Sequence, residues 1–242
     1  MQIESYKGYK ELTDVQPDDI NEDGSFVLPE EVTAIGEFAF KECENLVKIE
    51  IPNTVSIIEK GAFSQCVKLC SVVLPNTIKE IERFMFFGCK GLRCIQIPDS
   101  VKVIGEAAFM DCINLKNVKI SKSVVRIESY AFDDCKRLVS IELPGNLMEL
   151  RPAAFSGCDS LCTVYYCGKP IPVKVFGQSL VAVITQKNLL DMDIFEVQSL
   201  KTALGKHQSS NSWKIVYGKE RNEWNGMAES LWDALVRFAG SE

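Results

Sequence analysis

Apolar positions along this chain obey one rule between residues 26 and 168: each recurs 23 residues later, and after Gly168 the period fails. Phenylalanine stands at 40, 63, 86, 109, 132 and 155, and cysteine at 43, 66, 89, 112, 135 and 158. Leu46 returns as Leu69, Leu92, Leu115, Leu138 and Leu161. Ile49 returns as Val72, Ile95, Val118, Ile141 and Val164, and Ile51 as Leu74, Ile97, Ile120, Leu143 and Tyr166. Before each ring, Val32 becomes Val55, Ile78, Val101, Val124 and Leu147, while Ile35 becomes Ile58, Ile81, Ile104, Ile127 and Leu150. A fixed period of this size marks a solenoid, whose coils bury their apolar faces only against one another.

Two local periods alternate inside the unit. Ile49 and Ile51 lie two apart around Glu50, the spacing of a strand with one face buried. Phe40 and Cys43 lie three apart, which predicts a short helix or a single helical turn. Pro52, Pro75, Pro98 and Pro144 end the strand, because proline cannot donate to a ladder. Asn53, Asn76 and Asp99 follow as a polar turn. The six rings are read as a continuous core spine, each worth about 2–3 kcal/mol of burial.

The form Leu46-x-x-Ile49-x-Ile51, with an Ala-Phe-x-x-Cys turn before it and proline after it, resembles the BspA-type leucine-rich repeat. The resemblance covers residues 26–168. It implies an α/β fold: a leucine-rich-repeat solenoid, a right-handed superhelix with a parallel concave sheet and short helical turns on the convex side. It further implies microbial surface or secreted proteins engaged in adhesion, without catalytic activity, so no catalytic residue is carried over.

The expected organisation is a cap over residues 1–24, repeats over 25–168, degenerate final repeats and a C-terminal cap over 169–218, and an amphipathic helix over 219–242. Tyr6, Tyr9, Leu12 and Val15 step at helical spacing and are expected to cover the first ring. Leu190, Ile194, Val197, Leu200 and Leu204 share one helical face that Gly205 terminates. Trp213 to Tyr217 reads as a short strand. The tail carries an apolar stripe from Trp224 through Leu231, Trp232 and Leu235, and Trp224 and Trp232 are its candidate contacts for a partner or a dimer.

Composition narrows the chemistry. Ten cysteines invite a disulfide or metal reading, yet no Cys-x-x-Cys occurs and His207 is the sole histidine. Helical segments on the turn side would hold the periodic thiols about 10 Å apart, beyond the roughly 7 Å limit for bonding. They are therefore read as small buried apolar residues. Cys70 and Cys94 on adjacent coils are diagonal and expected to stay unbonded, and free thiols suit a reducing compartment. Asp19, Asn21, Asp23 and Glu30 satisfy a calcium-loop pattern. Pro29 and Val32-x-x-Ile35 leave no exiting helix, so an Asx turn feeding the first strand is the favoured reading. The start of the chain has no apolar signal segment, which places the protein in the cytoplasm, with a secreted or surface location as the alternative for a truncated chain. Net charge is −6 and no basic stripe with interleaved aromatics appears, which argues against nucleic acid.

No phosphate loop, His-Glu-x-x-His or nucleophile elbow is present, so neither enzyme activity nor a cofactor is expected. The expectation is a protein-binding scaffold using the outward sheet positions Lys48, Glu50, Val73, Gln96, Asn117, Lys119, Ser140, Glu142, Thr163 and Tyr165. The alternatives are an adhesin-like binder of host protein or glycan, and an assembly element that dimerises through the C-terminal helix. No membrane insertion is expected.

Overall fold

The structure, a computed structural model, describes residues 1–166 other than 7, 152 and 162. Everything expected after these residues, including Trp224, Trp232 and His207, lies outside them, as do the side chains of Thr163 and Tyr165 and the thiols of Cys162 and Cys167.

Each 23-residue unit makes one coil, and neighbouring coils are joined by backbone hydrogen bonds along three lines. The first line is the anticipated parallel ladder: Ser25–Phe26, Lys48–Glu50, Ser71–Val73, Cys94–Gln96, Asn117–Lys119, Ser140–Leu143 and Thr163–Tyr166. Register steps by one unit, so Lys48 faces Ser71 and Asn117 faces Cys94. The second line was not anticipated as strand. Ala34–Ile35, Ile57–Ile58, Glu80–Ile81, Val103–Ile104, Arg126–Ile127 and Glu149–Leu150 pair in parallel, each only two residues long. Their Ile column points inward, with Ile35, Ile81, Ile104 and Ile127 fully buried.

The third line replaces the expected helical turns, and here the α/β description is corrected. Among the described residues the only helix is the 3-10 turn Pro17–Asp19. A helix needs each N–H to reach a carbonyl four residues back. Here alternate amides leave the coil instead: Phe63 N–H donates to Met85 O at 2.9 Å and Phe109 N–H to Ala131 O at 2.8 Å. Between them run i→i−3 bonds such as Cys43 N–H to Phe40 O at 3.1 Å. Left-handed residues punctuate the turn in two columns. Among the described residues all nine non-glycine residues with positive φ fall there: Phe38, Phe84, Ala107, Tyr130 and Ala153 in one, Glu42, Gln65, Asp111 and Asp134 in the other. Gly61, Gly88 and Gly157 fill the remaining places. A left-handed residue ends helical propagation, and its own amide bonds the following coil, as Phe38 N–H does to Lys60 O at 3.1 Å and Glu42 N–H to Ser64 O at 2.8 Å.

The coils enclose one core. Phe40, Phe63, Phe86, Phe109, Phe132 and Phe155 are fully buried and stack at centroid separations of 5.0, 5.5, 5.3, 5.1 and 5.2 Å. Phe26, from the half repeat, meets Phe40 edge-on at 4.9 Å and 88°. The ring separations match the strand spacing of about 4.8 Å because both follow one translation.

At the start of the chain, the helical spacing expected for Tyr6, Tyr9, Leu12 and Val15 is overturned. Gln2–Tyr6 and Tyr9–Asp14 form an antiparallel hairpin, and the second strand joins Ala34–Ile35 in parallel. Leu12 is buried at the register of Ile35, and Val15 N–H bonds Ala39 O at 2.9 Å, taking the place of a preceding coil. Glycine at Gly8, with φ +87, lets the hairpin reverse. The open edge of the second ladder supplies the demand here: unpaired edge backbone groups favour a partner strand over a helix lying across them.

Candidate functional site

The outward positions of the first ladder form one exposed face. Lys48 and Glu50 flank buried Ile49, Ser71 and Val73 flank Val72, Cys94 and Gln96 flank Ile95, and Asn117 and Lys119 flank Val118. Glu142 is exposed and Ser140 half-buried on the last described strands. Alternation of period two produces this: the inward residue of each strand is held by the core, so its neighbours face solvent. Thr163 and Tyr165 continue the register opposite Ser140 and Glu142.

The face is not uniform. Pairing is continuous over Ser25–Phe26, Lys48–Glu50 and Ser71–Val73, resumes over Cys94–Gln96 and Asn117–Lys119, and resumes again over Ser140–Leu143 and Thr163–Tyr166. At the first interruption the turn side stays closed, with Phe63 N–H on Met85 O at 2.9 Å and Gln65 N–H on Phe87 O at 2.6 Å. Ladder pairing therefore lapses between Ser71–Val73 and Cys94–Gln96 while the spine stays stacked. A shallow groove of about 350 Å³ crosses these strands, lined by Ser71, Val72, Cys94, Ile95, Gln96, Asn117 and Lys119. Val72 is only half-buried, whereas Ile49 and Ile95 in its column are buried. The groove thus brings together the anticipated Gln96, Asn117 and Lys119. It leaves Lys48, Glu50 and Glu142 outside its lining, and Val73, half exposed at 51%, beside it.

Two cations escaped the sequence reading. Arg93 and Lys116 precede Cys94 and Asn117, both are exposed, and Lys116 N–H donates to Arg93 O at 2.8 Å, so they occupy adjacent coils. Among the described residues neither they nor Lys119 enter an ion pair, unlike Lys48, which binds Asp23 at 2.8 Å. The signal available in sequence was the column Val47, Cys70, Arg93, Lys116, Val139, where only the two coils at the groove are basic.

Acidic groups gather on the second ladder instead. Burial, then Glu59, holds the Glu82 carboxyl above the usual range; burial, then Glu82, does the same for Glu80; burial, then Glu59, for Glu11. The second ladder's pairing breaks between Ile57–Ile58 and Glu80–Ile81, beside Glu59 and Glu82.

The thiols take no part in such a face except at Cys94. The periodic cysteines are free and buried; Cys43 Sγ donates to Val15 O at 3.4 Å, and the others donate to the phenylalanine carbonyl of the preceding coil, as Cys66 Sγ does to Phe40 O at 2.9 Å, and Cys89 Sγ to Phe63 O and Cys112 Sγ to Phe86 O at 3.1 Å. Burial pushes these thiols upward, Cys43 to about 11. The premise that helices separate them fails, since coils here lie within hydrogen-bond reach. They stay unbonded because a common translation makes their Cα–Cβ vectors parallel, the wrong disposition for a disulfide. Cys70 and Cys94 are likewise free.

Asp23 accepts from Ser25 N–H at 3.0 Å and pairs with Lys48, so an Asx turn does form at the first strand. These partners hold its carboxyl well below the usual range, the Lys48 bond most of all. Asp19 accepts from Gln16 N–H at 2.8 Å and from the terminal amine. Among the described residues no group of three or more His, Cys, Asp or Glu is placed to hold a metal ion, and no helix is long and apolar enough to cross a membrane.

Residues 23–93 and 56–182 match the family model of the BspA type leucine rich repeat region, in six copies. The fold is similar to the crystal structure of a leucine rich repeat protein from T. pallidum, at 28% identity and TM-score 0.65, covering 82% of this chain and 92% of that one. It is also similar to the pneumococcal vaccine antigen PcpA, at 20% identity and TM-score 0.52, over 90% of this chain and 48% of that one. A leucine-rich repeat protein from Eubacterium ventriosum shares 21% identity at TM-score 0.50, over 55% of this chain and 42% of that one. The chain matches no curated protein.

Proposed function

This chain belongs to the BspA-type leucine-rich-repeat family, and from that premise we propose that it is a non-catalytic scaffold that binds a protein partner on its first-ladder face. One observation carries the reading: on that face every inward residue is repeated while Lys48, Glu50, Val73, Gln96, Asn117, Lys119 and Glu142 differ from coil to coil. A regular frame holding irregular side chains at a spacing of about 4.8 Å can be matched by only one complementary surface. The turn side is stitched by the third line of backbone bonds, which leaves it less able to adapt to a ligand.

Whether the protein works in a reducing interior, which its eight free described thiols suit, or at a cell surface, which its family implies, is decided by fractionation and protease shaving of the source cell. Dimerisation through Trp224 and Trp232 is a second assembly proposal, tested by sedimentation of the full chain against one ending near residue 217.

The binding reading is tested with a photoreactive side chain at Gln96 and, separately, at Glu42 on the turn side. Cross-linking of one defined partner from Gln96 supports the sheet face. Cross-linking from Glu42 alone overturns it.

A further inference from the structure

We propose that the solenoid carries a hinge at one coil boundary, between the coils of Phe63 and Phe86, which the carboxylates of Glu59 and Glu82 hold open and protonation of Glu82 closes. The hinge stands apart from the sheet-face reading, although the groove over Val72 and Ile95 crosses the same boundary.

Backbone bonding singles out this boundary. Along the second ladder one amide of each coil reaches the coil before it: Glu59 N–H bonds Ile35 O at 2.9 Å, Gly105 N–H bonds Ile81 O at 2.8 Å, and Glu128 N–H bonds Ile104 O at 2.9 Å. Among the described residues Glu82 N–H, at the equivalent place, makes no such bond to Ile58. A second column repeats the pattern. Ser56 N–H bonds Thr33 O at 2.9 Å and Lys102 N–H bonds Lys79 O at 2.8 Å, but Lys79 N–H does not bond Ser56. The first ladder lapses at the same boundary, where Arg93 N–H lacks the bond that Cys70 makes to Val47 at 2.9 Å and Lys116 to Arg93 at 2.8 Å. It lapses again between Asn117–Lys119 and Ser140–Leu143, but there the second ladder stays paired, Val103–Ile104 on Arg126–Ile127. At the hinge the turn line remains, joined by two bonds of the polar turn, Asn76 N–H on Asn53 Oδ1 and Thr77 Oγ1 on Val55 O. Elements with few bonds across them open at low free-energy cost, and one line kept closed beside others that part is what a hinge requires.

Side chains at the boundary supply the cause. The column Gly36, Glu59, Glu82, Gly105, Glu128, Arg151 puts carboxylates on adjacent coils only at Glu59 and Glu82. Neighbouring coils lie about 4.8 Å apart, and like charges set opposite one another repel. Met85, fully buried, stands where the other coils carry alanine, and the spine separation is widest here, 5.5 Å between Phe63 and Phe86. A bulkier side chain in a close-packed core shifts the backbone around it.

The charges around Glu82 set the sign. Burial, then Glu59, holds its carboxyl above the usual range, with Arg83 opposing. Glu80 stands on the same coil, Arg126 and Glu128 reach Glu80 from further along the ladder, and Glu11 approaches Glu59 from the hairpin. Lys60, beside Glu59, is taken by Glu37 at 2.8 Å. Acid therefore neutralises Glu82 and removes the repulsion across this boundary.

The test is amide hydrogen exchange on the full chain, each rate divided by the intrinsic rate at the same pH. At neutral pH the Lys79, Glu82 and Arg93 amides are expected to exchange at least about tenfold faster than Lys102, Gly105 and Lys116 one coil on, the effect of about one missing hydrogen bond. Below pH 4.5, and in Glu82→Gln at neutral pH, the two sets should come within about threefold of each other. Glu59→Gln should act alike, and replaces Glu82→Gln should that variant fail to fold by circular dichroism. Glu106→Gln removes the same charge at an exposed site on the next coil and should leave the difference as it was. Equal protection of the two sets at neutral pH would overturn the hinge. Fast exchange that neither acid nor the Gln variants slow would overturn the carboxylate control, as would equal slowing by Glu106→Gln.

Discussion

Phe109→Ala tests the spine directly. The ring is fully buried and stacks on Phe86 at 5.3 Å and on Phe132 at 5.1 Å, with planes within 10° and 5°. Truncating a buried phenylalanine costs about 3–5 kcal/mol, cavity included. Each aromatic pair adds about 0.5–1.5 kcal/mol beyond buried area, and this substitution removes two pairs. The stitched backbone on the turn side resists collapse into the void, so the upper part of the range, about 4–5 kcal/mol, applies. At about 2–4 °C per kcal/mol for a chain of this size, Tm should fall by about 8–20 °C in a circular-dichroism melt. Phe38→Ala is the comparator: that ring is 40% exposed, so its loss should cost under about 1 kcal/mol. Coupling should reach only the adjacent coil, making Phe86→Ala with Phe109→Ala non-additive and Phe40→Ala with Phe109→Ala additive. A drop of only a few degrees for Phe109→Ala, or one equal to that of Phe38→Ala, would refute the stacked spine.

Other outcomes follow from the same geometry. Among the described cysteines, a thiol reagent at neutral pH should modify exposed Cys94 and, more slowly, half-buried Cys70 in the folded protein, because only the thiolate reacts and burial suppresses it at the periodic six. Peptide mapping that finds native Cys112 labelled would contradict this. Gly61→Ala should destabilise by about 1–2 kcal/mol, because its Cβ would sit 2.1 Å from Phe38 Cε1. Phe38→Ala should restore most of that loss, since Ala107 and Ala153 hold the same positive φ elsewhere; no rescue would assign the cost to backbone strain instead. Glu82 has a raised folded value, so its contribution is favourable below the ordinary 4.5 and is lost as pH rises through the raised value. Glu82→Gln should therefore raise Tm at neutral pH and leave it nearly unchanged in acid, and a lower Tm at neutral pH would reverse the sign of the argument.

The candidate face was legible as a set of positions and illegible as a shape. Any strand with Ile49 and Ile51 inward must turn Lys48 and Glu50 outward, so exposure could be read from alternation alone. Nothing in the column Ile49, Val72, Ile95 announces that backbone pairing lapses after Val72, because each residue suits the same pleat. The groove that gathers Gln96, Asn117 and Lys119 likewise has no mark in the sequence. The hairpin at the start was misread for a related reason: Tyr9, Leu12 and Val15 match a helical stripe, but the open edge at Ala34–Ile35 recruits a strand.

Periodicity by itself determined that the coils stack, which residues form the spine, and that Cys66 and its counterparts lie inside, because a repeat of 23 can satisfy its apolar positions only against copies of itself. Tertiary structure decided how the turn side is built. Spacing three apart is shared by a helix and by a chain of tight turns, and the choice fell to the backbone amides. With the next coil within reach, Phe63 and Phe109 bond outward to Met85 and Ala131, and left-handed residues at Phe38 and Glu42 make that outward path continuous.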